Sequence, residues 1–519
     1  MQPKSSLSPL FIGFIFLFGI VFTELLAILI LNKGVFTYTL DDPYIHLALA
    51  KNILHGHYGI NLQEYSSPSS SIIWPFILAP LSGLSYSPFI LNISISFSIV
   101  FLNYKILNHI FTTNNSKINS ALISGIIIFL IFSTNTISLI FMGMEHLLQV
   151  FLITVIVLGL IMEVKTGKVE FWLIAAIIIA PLVRYECLAV STAAIIYLLS
   201  QKYYRTALFS TFLIATLLLF FSLFLIQLGL EPLPNSILEK SSIAKDQGFL
   251  HLIVENLKNI FKNPRGNLLL YSAIILLGSA LFIRKFNKDR MLALTGLLAV
   301  TLHLVVGRCD GSNRYELYIW TYALLIIIYL LGYRIFQPII ERGEHKDLAK
   351  IFFILTAFAA AGCMPYLVNI VTIPLASNNI FEQQFQMHRF ATEYYKKPVA
   401  VNDIGLVSYN NAYYVLDLWG LASNEALKLR FKSNNLDWMD KLAVSKNVEL
   451  AMIYDSWFNE VPENWIKVGS LFLGRTRIGA ASEKVSFYAL NKNSYTDITK
   501  KLIEFQKILP HGVVFKFEE

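Results

Sequence analysis

The sequence predicts a polytopic α-helical membrane protein with a C-terminal α/β domain outside the membrane. Hydrophobic residues fill 55% of the 519 positions and charged residues only 15%, and mean hydropathy is +0.58. Single soluble cores stop growing beyond about 300 residues, so a soluble fold could not hide that much apolar surface. The apolar residues come in stretches of roughly 18–24, the length that crosses a bilayer. After Pro374 the composition shifts to a more acidic chain with short β-like runs.

The first stretch, Pro9 to Leu31, is too long for a signal-peptide core and lacks a small-residue cleavage pattern, so it reads as a retained helix. Net charge is +8. In a membrane protein that excess belongs to cytoplasmic loops and lipid headgroups rather than to nucleic acid. Cys187, Cys309 and Cys363 are odd in number and scattered, which argues against a disulfide framework. No internal repeat of the transporter kind stands out.

Lys and Arg in short loops set the orientation. Lys4 places the N-terminus in the cytoplasm. Lys165/Lys168, Lys202/Arg205, Arg284 to Arg290 and Arg334 to Lys346 mark further cytoplasmic loops. About eleven spans follow, at 9–31, 88–110, 119–140, 146–163, 169–183, 187–200, 206–229, 267–284, 290–306, 315–334 and 350–373. Ser71 to Tyr86 is apolar but interrupted by Pro75 and Pro80, so it reads as an interfacial or re-entrant piece. An odd number of spans leaves residues 375–519 outside, after a transmembrane domain of residues 1–374. Strands are expected at 398–403, 412–420, 449–455 and 485–490, and helices at 381–397 and 494–509.

This threading collects Asp41, Asp42, His46, Glu145, His146, Arg184, Glu186, Glu231, Lys240, Arg308, Asp310, Arg314 and Glu316 on the outer face. Charges near hydrocarbon are costly and point to function by default; singly, each also fits a snorkelling interface residue. In the first outer loop, Asp42 before Pro43 is a helix-start pattern with Asp42 as N-cap, which leaves Asp41 the freer carboxylate. His46 lies one turn on and either faces the same way or is a helix-surface histidine. His55 and His57 beside Gly56 and Gly59 read as turn residues. Asp403 reads as the cap of a helix beginning at Ile404.

An acidic pair opening a helix directly after the first span resembles the GT-C class of integral-membrane glycosyltransferases. DDPYIHLALAKNIL followed by SSPSSSIIWPFILAPL is similar to the aminoarabinose and arabinofuranosyl transferases in order and spacing. GMEHLLQVFL (143–152), RYECL (184–188), EPLPNSILEKSSIAK (231–245) and VNDIGLVSYNNAYYVLDLWGL (401–421) extend the likeness over most of the chain. Two departures stand out: RYE replaces a common Arg-Pro-Glu, and a third acidic loop residue is not evident.

The resemblance implies a sugar donor carried on polyprenyl phosphate, a lipid or glycan acceptor hydroxyl in the cell envelope, and work on the outer side of a bacterial inner membrane. An attacking hydroxyl needs a carboxylate to take its proton. A departing lipid phosphate needs cationic stabilisation, which Arg supplies through two-point contacts. The expected base is Asp41, with Asp42 and Glu145 in support; Arg184, Arg314 and Lys240 are the expected phosphate ligands, and the transfer is expected to invert. No cofactor is required; a divalent cation is compatible with Asp42 and His46. A polysaccharide polymerase or ligase, or a non-enzymatic transporter of lipid-linked glycan, are the competing classes. The first would not predict the Asp-Asp helix, and the second would need charges at mid-membrane.

Overall fold

The computed structural model describes residues 7–111, 116–240, 260–283, 287–308, 313–333, 345–432, 437–458 and 460–518, with Val254, Asn256 and Lys258. Helix α1 (Pro9–Leu31) leads into α2 (Asp42–Ile53) and the short α3 (Trp74–Leu78). Then come α4 (Ser87–Ile110), α5 (Ser116–Ser133), α6 (Thr136–Met142), α7 (His146–Thr166) and α8 (Phe171–Val183). The helical part continues through α9 (Leu188–Ser200), α10 (Tyr204–Gln227), α11 (Asn235–Lys240), α12 (Pro264–Phe282), α13 (Lys288–Val306), α14 (Leu317–Leu331) and α15 (His345–Glu382).

Six of the described helices are long and apolar enough to cross a membrane, or up to seven if the bent pair α5–α6 is one span. Exposed residues on α1 (Phe11, Ile15, Phe18, Phe22, Leu26, Ile30) and α10 (Leu208, Phe212, Leu219, Leu223) are large and apolar. A helix that presents such a face outward is built for lipid rather than water. The expected count of about eleven is not confirmed among the described residues. Helices α8 and α9 have 13 residues each and α14 has 15, so they rise only about 20–22 Å. The expected span 350–373 lies within α15, many of whose side chains fall outside the described set.

Span 119–140 is broken: α5 and α6 meet at 41° around Asn135, whose φ is +51°. Ser71 to Tyr86 forms only the five-residue α3 and one 3-10 turn. Trp74, Leu78 and Ala79 there pack on Ala50 of α2. Helix α7 is the axis of the bundle, packing on α4, α8 and α14.

After α15 the chain runs through α16 (Gln384–Arg389), β1 (Val399–Val401), α17 (Gly405–Ser408), β2 (Val415–Asp417), α18 (Asn424–Lys432) and α19 (Asp437–Ser445). Strands β3 (Leu450–Ile453), β4 (Ile466–Phe472) and β5 (Lys484–Ala489), helix α20 (Lys492–Phe505) and β6 (Val514–Phe517) complete it. The sheet order is β2-β1-β3-β5-β4-β6. β1 is parallel to both β2 and β3, and the other pairings are antiparallel. The four expected strands are present, and β4 and β6 add two that sequence reading did not find. The expected helix 381–397 is instead the end of α15, then α16, then a π-helical turn at Phe390–Tyr395.

Candidate functional site

The start of α2 organises the site. Gly143 ends α6 at φ +67°, and a Cβ there would collide with the Tyr38 ring and Pro43. Only glycine allows both that conformation and that approach. The α6–α7 turn therefore tucks beneath Pro43 and brings Glu145, at the head of α7, next to His46 of α2.

Asp42 is the first residue of α2 and Asp41 its N-cap, one position earlier than expected. The Asp42 side chain is 36% exposed, and its Oδ2 accepts from Nη2 of Arg314 at 2.8 Å. Arg314 is buried, yet its Nε and Nη1 have no hydrogen-bond partner among the described residues. A buried guanidinium with donors to spare is a costly arrangement unless a ligand completes it. The preceding residue holds it there: Asn313 sits at φ +55°, its backbone carbonyl accepts from Asn135 at the α5–α6 break (3.1 Å), and its side-chain Nδ2 donates to Asn369 Oδ1 (2.6 Å).

Arg184 is engaged on every edge. Its Nη1 meets Glu145 at 2.6 Å and Ser70 at 3.2 Å, while Nε and Nη2 meet Glu186 at 3.2 and 2.7 Å. Residues two apart do not face each other on a helix, but Arg184 is extended at φ −154°, ψ 135°, so it and Glu186 come together. Arg314 and Glu316 stay apart. Glu316 turns away to Tyr366 (3.3 Å) and Arg265 (3.7 Å). The ring of Tyr315 lies between the two guanidinium groups, 5.3 Å from Arg184 and 5.2 Å from Arg314.

His46 is buried rather than on a helix surface. Its Nδ1 is 3.1 Å from Ser69 Oγ and its Nε2 is 3.5 Å from Glu145. His57 is a turn residue as expected, bonded to the Asn61 and Glu64 carbonyls.

Asp41 is the larger correction. It is buried, and its two oxygens accept from the backbone N–H groups of Gly405 (2.6 Å) and Leu406 (2.8 Å). It therefore caps α17 from 364 positions away, the role expected of Asp403. Asp403 instead accepts from Gln384 Nε2 at 2.8 Å and lies beside Asp41. Burial, and then the Asp403 charge, hold the Asp41 carboxyl well above the usual carboxylate range. Asp41 is thus the more enclosed of the two aspartates and Asp42 the more exposed.

Asp42, Ile45, His46, Ser70, Arg184, Ser236, Arg314, Tyr315 and Leu421 line one narrow cleft of about 30 Å³. Leu421 comes from the loop after β2, pinned where Asn235 Nδ2 donates to the Gly420 and Leu421 carbonyls (3.2 Å each). Glu231 is drawn off to Lys428 (2.9 Å), and Arg308 is exposed. The side chain of Lys240 and all of Asp310 lie outside the described residues. Asp42 and His46 do not converge as ligands, since one faces Arg314 and the other Glu145. Among the described residues no group of three or more His, Cys, Asp or Glu could hold a metal ion.

Beyond Arg184, an apolar groove of about 350 Å³ begins at Tyr185 and Glu186 and runs between α9 and α13 past Leu188, Thr192, Leu302 and Val306. A second groove, about 310 Å³, shares Leu188 and Thr192 and continues between α9 and α10 along Ile195, Ile214 and Leu218.

A family model described as a domain of unknown function (DUF8728) matches residues 378–488, which carry most of the sheet. No curated protein matches. Among solved structures, the chain is similar to a crystal structure of the Archaeoglobus fulgidus oligosaccharyltransferase in complex with zinc and sulfate. The TM-score is 0.42 at 11% identity, covering 96% of this chain and 74% of that one. A superposition at that level decides neither fold nor activity.

Proposed function

We propose that this chain is a membrane glycosyltransferase that moves a sugar from a polyprenyl-phosphate donor to an envelope acceptor hydroxyl at the outer face of a bacterial inner membrane. The observation that carries the reading is Arg314, a buried guanidinium with two donors unpartnered among the described residues, set against the half-exposed carboxylate of Asp42. The apolar grooves support it, because they lead away from Arg184–Glu186 along helices with lipid-facing surfaces and suit a long isoprenoid chain.

Asp42 and Arg314 neutralise each other across the cleft. Either two-point edge of the Arg314 guanidinium includes Nη2, so a donor phosphate that takes Nη2 together with Nε or Nη1 displaces Asp42. The acceptor hydroxyl then attacks the anomeric carbon and gives its proton to Asp42, while the bond from that carbon to the phosphate oxygen breaks. The electron pair leaves with the lipid phosphate, stabilised by Arg314. One in-line displacement inverts the anomeric centre. Arg184, braced by Glu145 and Glu186, keeps the walls of the cleft in place and adds positive charge next to Tyr315. The narrow cleft accepts a sugar only once the Asp42–Arg314 pair has parted.

The test is reconstitution of the purified protein with a panel of polyprenyl-phosphate sugars and an acceptor extract, following loss of the lipid-linked sugar. Turnover of one donor, abolished by Asp42→Asn, is the expected result. Stable donors across the whole panel would overturn the reading.

A further inference from the structure

We infer that the C-terminal sheet region is a working part of the cleft, and that Gly405 and Asp41 are positioning residues that set Asp42. The inference rests on the transferase reading above. Strands β1 and β2 are parallel, and the loops at their C-terminal ends both reach the site, where open α/β sheets present their functional loops. The loop after β2 supplies Leu421 to the cleft. The loop after β1 supplies the Gly405 and Leu406 amides that hold both oxygens of Asp41, the residue immediately before Asp42.

The closeness of that contact is specific to glycine. A Cβ on Gly405 would fall on the Asp41 carbonyl oxygen and within 2.6 Å of its Oδ2. Gly405 is not among the glycines with positive φ, so alanine is compatible with the backbone of α17, and the three atoms nearest to its Cβ all belong to Asp41. Other contacts tie the same surfaces: Lys51 donates to Asn410 (2.8 Å), and Asn61 exchanges two hydrogen bonds with the Val415 backbone (2.9 and 3.0 Å). Those residues lie toward and beyond the far end of α2; the Gly405–Asp41 contact lies at its catalytic end, where Tyr44 also packs on Tyr409. A loss of registry there moves Asp42 relative to Arg314 while leaving Arg314 and the apolar grooves intact.

The experiment compares full-length wild type with Gly405→Ala and, as a second variant that adds no bulk, Asp41→Asn, by amide hydrogen exchange and by steady-state kinetics. We expect both variants to lose protection across residues 404–407. We expect kcat to fall about 100-fold, as a misplacement of an ångström commonly produces, with the donor KM nearly unchanged. Protection retained in both variants would overturn the docking contact. Lost protection with wild-type kcat would overturn the positioning role. If wild type itself turns over no polyprenyl-linked sugar, the transferase reading fails by itself, and the exchange comparison still decides the docking: lost protection upholds it and retained protection overturns it.

Discussion

Nη2 of Arg314 lies 2.8 Å from Oδ2 of Asp42 although 272 positions separate them, and the same guanidinium keeps Nε and Nη1 without partners among the described residues. Both residues line the cleft, and in the proposed transfer their contact is the point at which the phosphate enters. Substituting Lys at 314 keeps the charge but removes the planar fork. We expect Arg314→Lys to weaken donor use about tenfold or more, corresponding to about 1.5–3 kcal/mol for a charge-assisted contact. Donor KM measured on the reconstituted protein checks this.

Arg184 answers differently to the same change. It is buried against the fully buried Glu145, and its remaining donors are occupied by Glu186. Shortening it to Lys leaves part of that network unpaired, a fault that costs about 3–5 kcal/mol when a buried partner is lost outright. We therefore expect Arg184→Lys to lower the melting temperature in detergent, whereas Arg314→Lys leaves it close to wild type. Equal melting temperatures in the two variants would show that Arg184 is not the structural member of the pair.

Thr192 lines both apolar grooves and is exposed. Thr192→Trp places a large ring in the path of a long chain. We expect the KM for a long polyprenyl donor to rise while a short-chain analogue is handled as before. If both donors suffer alike, the chain lies elsewhere.

Asp41 and Asp403 give the docking a pH dependence. Both carboxyls are held above the ordinary range, chiefly by burial; the Asp403 charge raises Asp41 further, and the Asp42 charge raises both. The docked state therefore holds a proton that the undocked state releases. Its stabilising effect is full below the ordinary carboxylate pKa and is lost as pH rises through the raised value. Protection of residues 404–407, corrected for intrinsic exchange, is expected to fall with rising pH in wild type and to flatten in Asp403→Asn. A slope of the opposite sign would show that the pair is ionised when docked.

Much of the scaffold was legible because it depends on local pattern. Pro75 and Pro80 announced that Ser71 to Tyr86 would not form a spanning helix, and its longest helix has five residues. The four β-like runs became strands. Strand β4 was missed because a register shift between Lys467 and Gly469 breaks its alternation, and β6 because it is a short edge strand at the chain end. The site was legible as residue types but not as partners. The pairing of Arg184 with Glu186 depends on an extended backbone at Arg184, which no sequence pattern announced. The roles of Asp41 and Asp42 were exchanged because the cap lies one residue earlier, and because the partner of Asp41 is a backbone turn 364 positions downstream. No sequence periodicity reports a contact of that kind.

The central claim is that Asp42, not Asp41, takes the proton. The most direct measurement is single-turnover transfer from a polyprenyl-phosphate sugar by Asp42→Asn, with donor binding measured in parallel. Asn still suits the first turn of α2, so folding is preserved and only the base is removed. The account predicts donor binding at least as tight as wild type, because Arg314 is no longer held by a carboxylate, and transfer slowed about 10²–10⁴-fold. Transfer within a few-fold of wild type would contradict it.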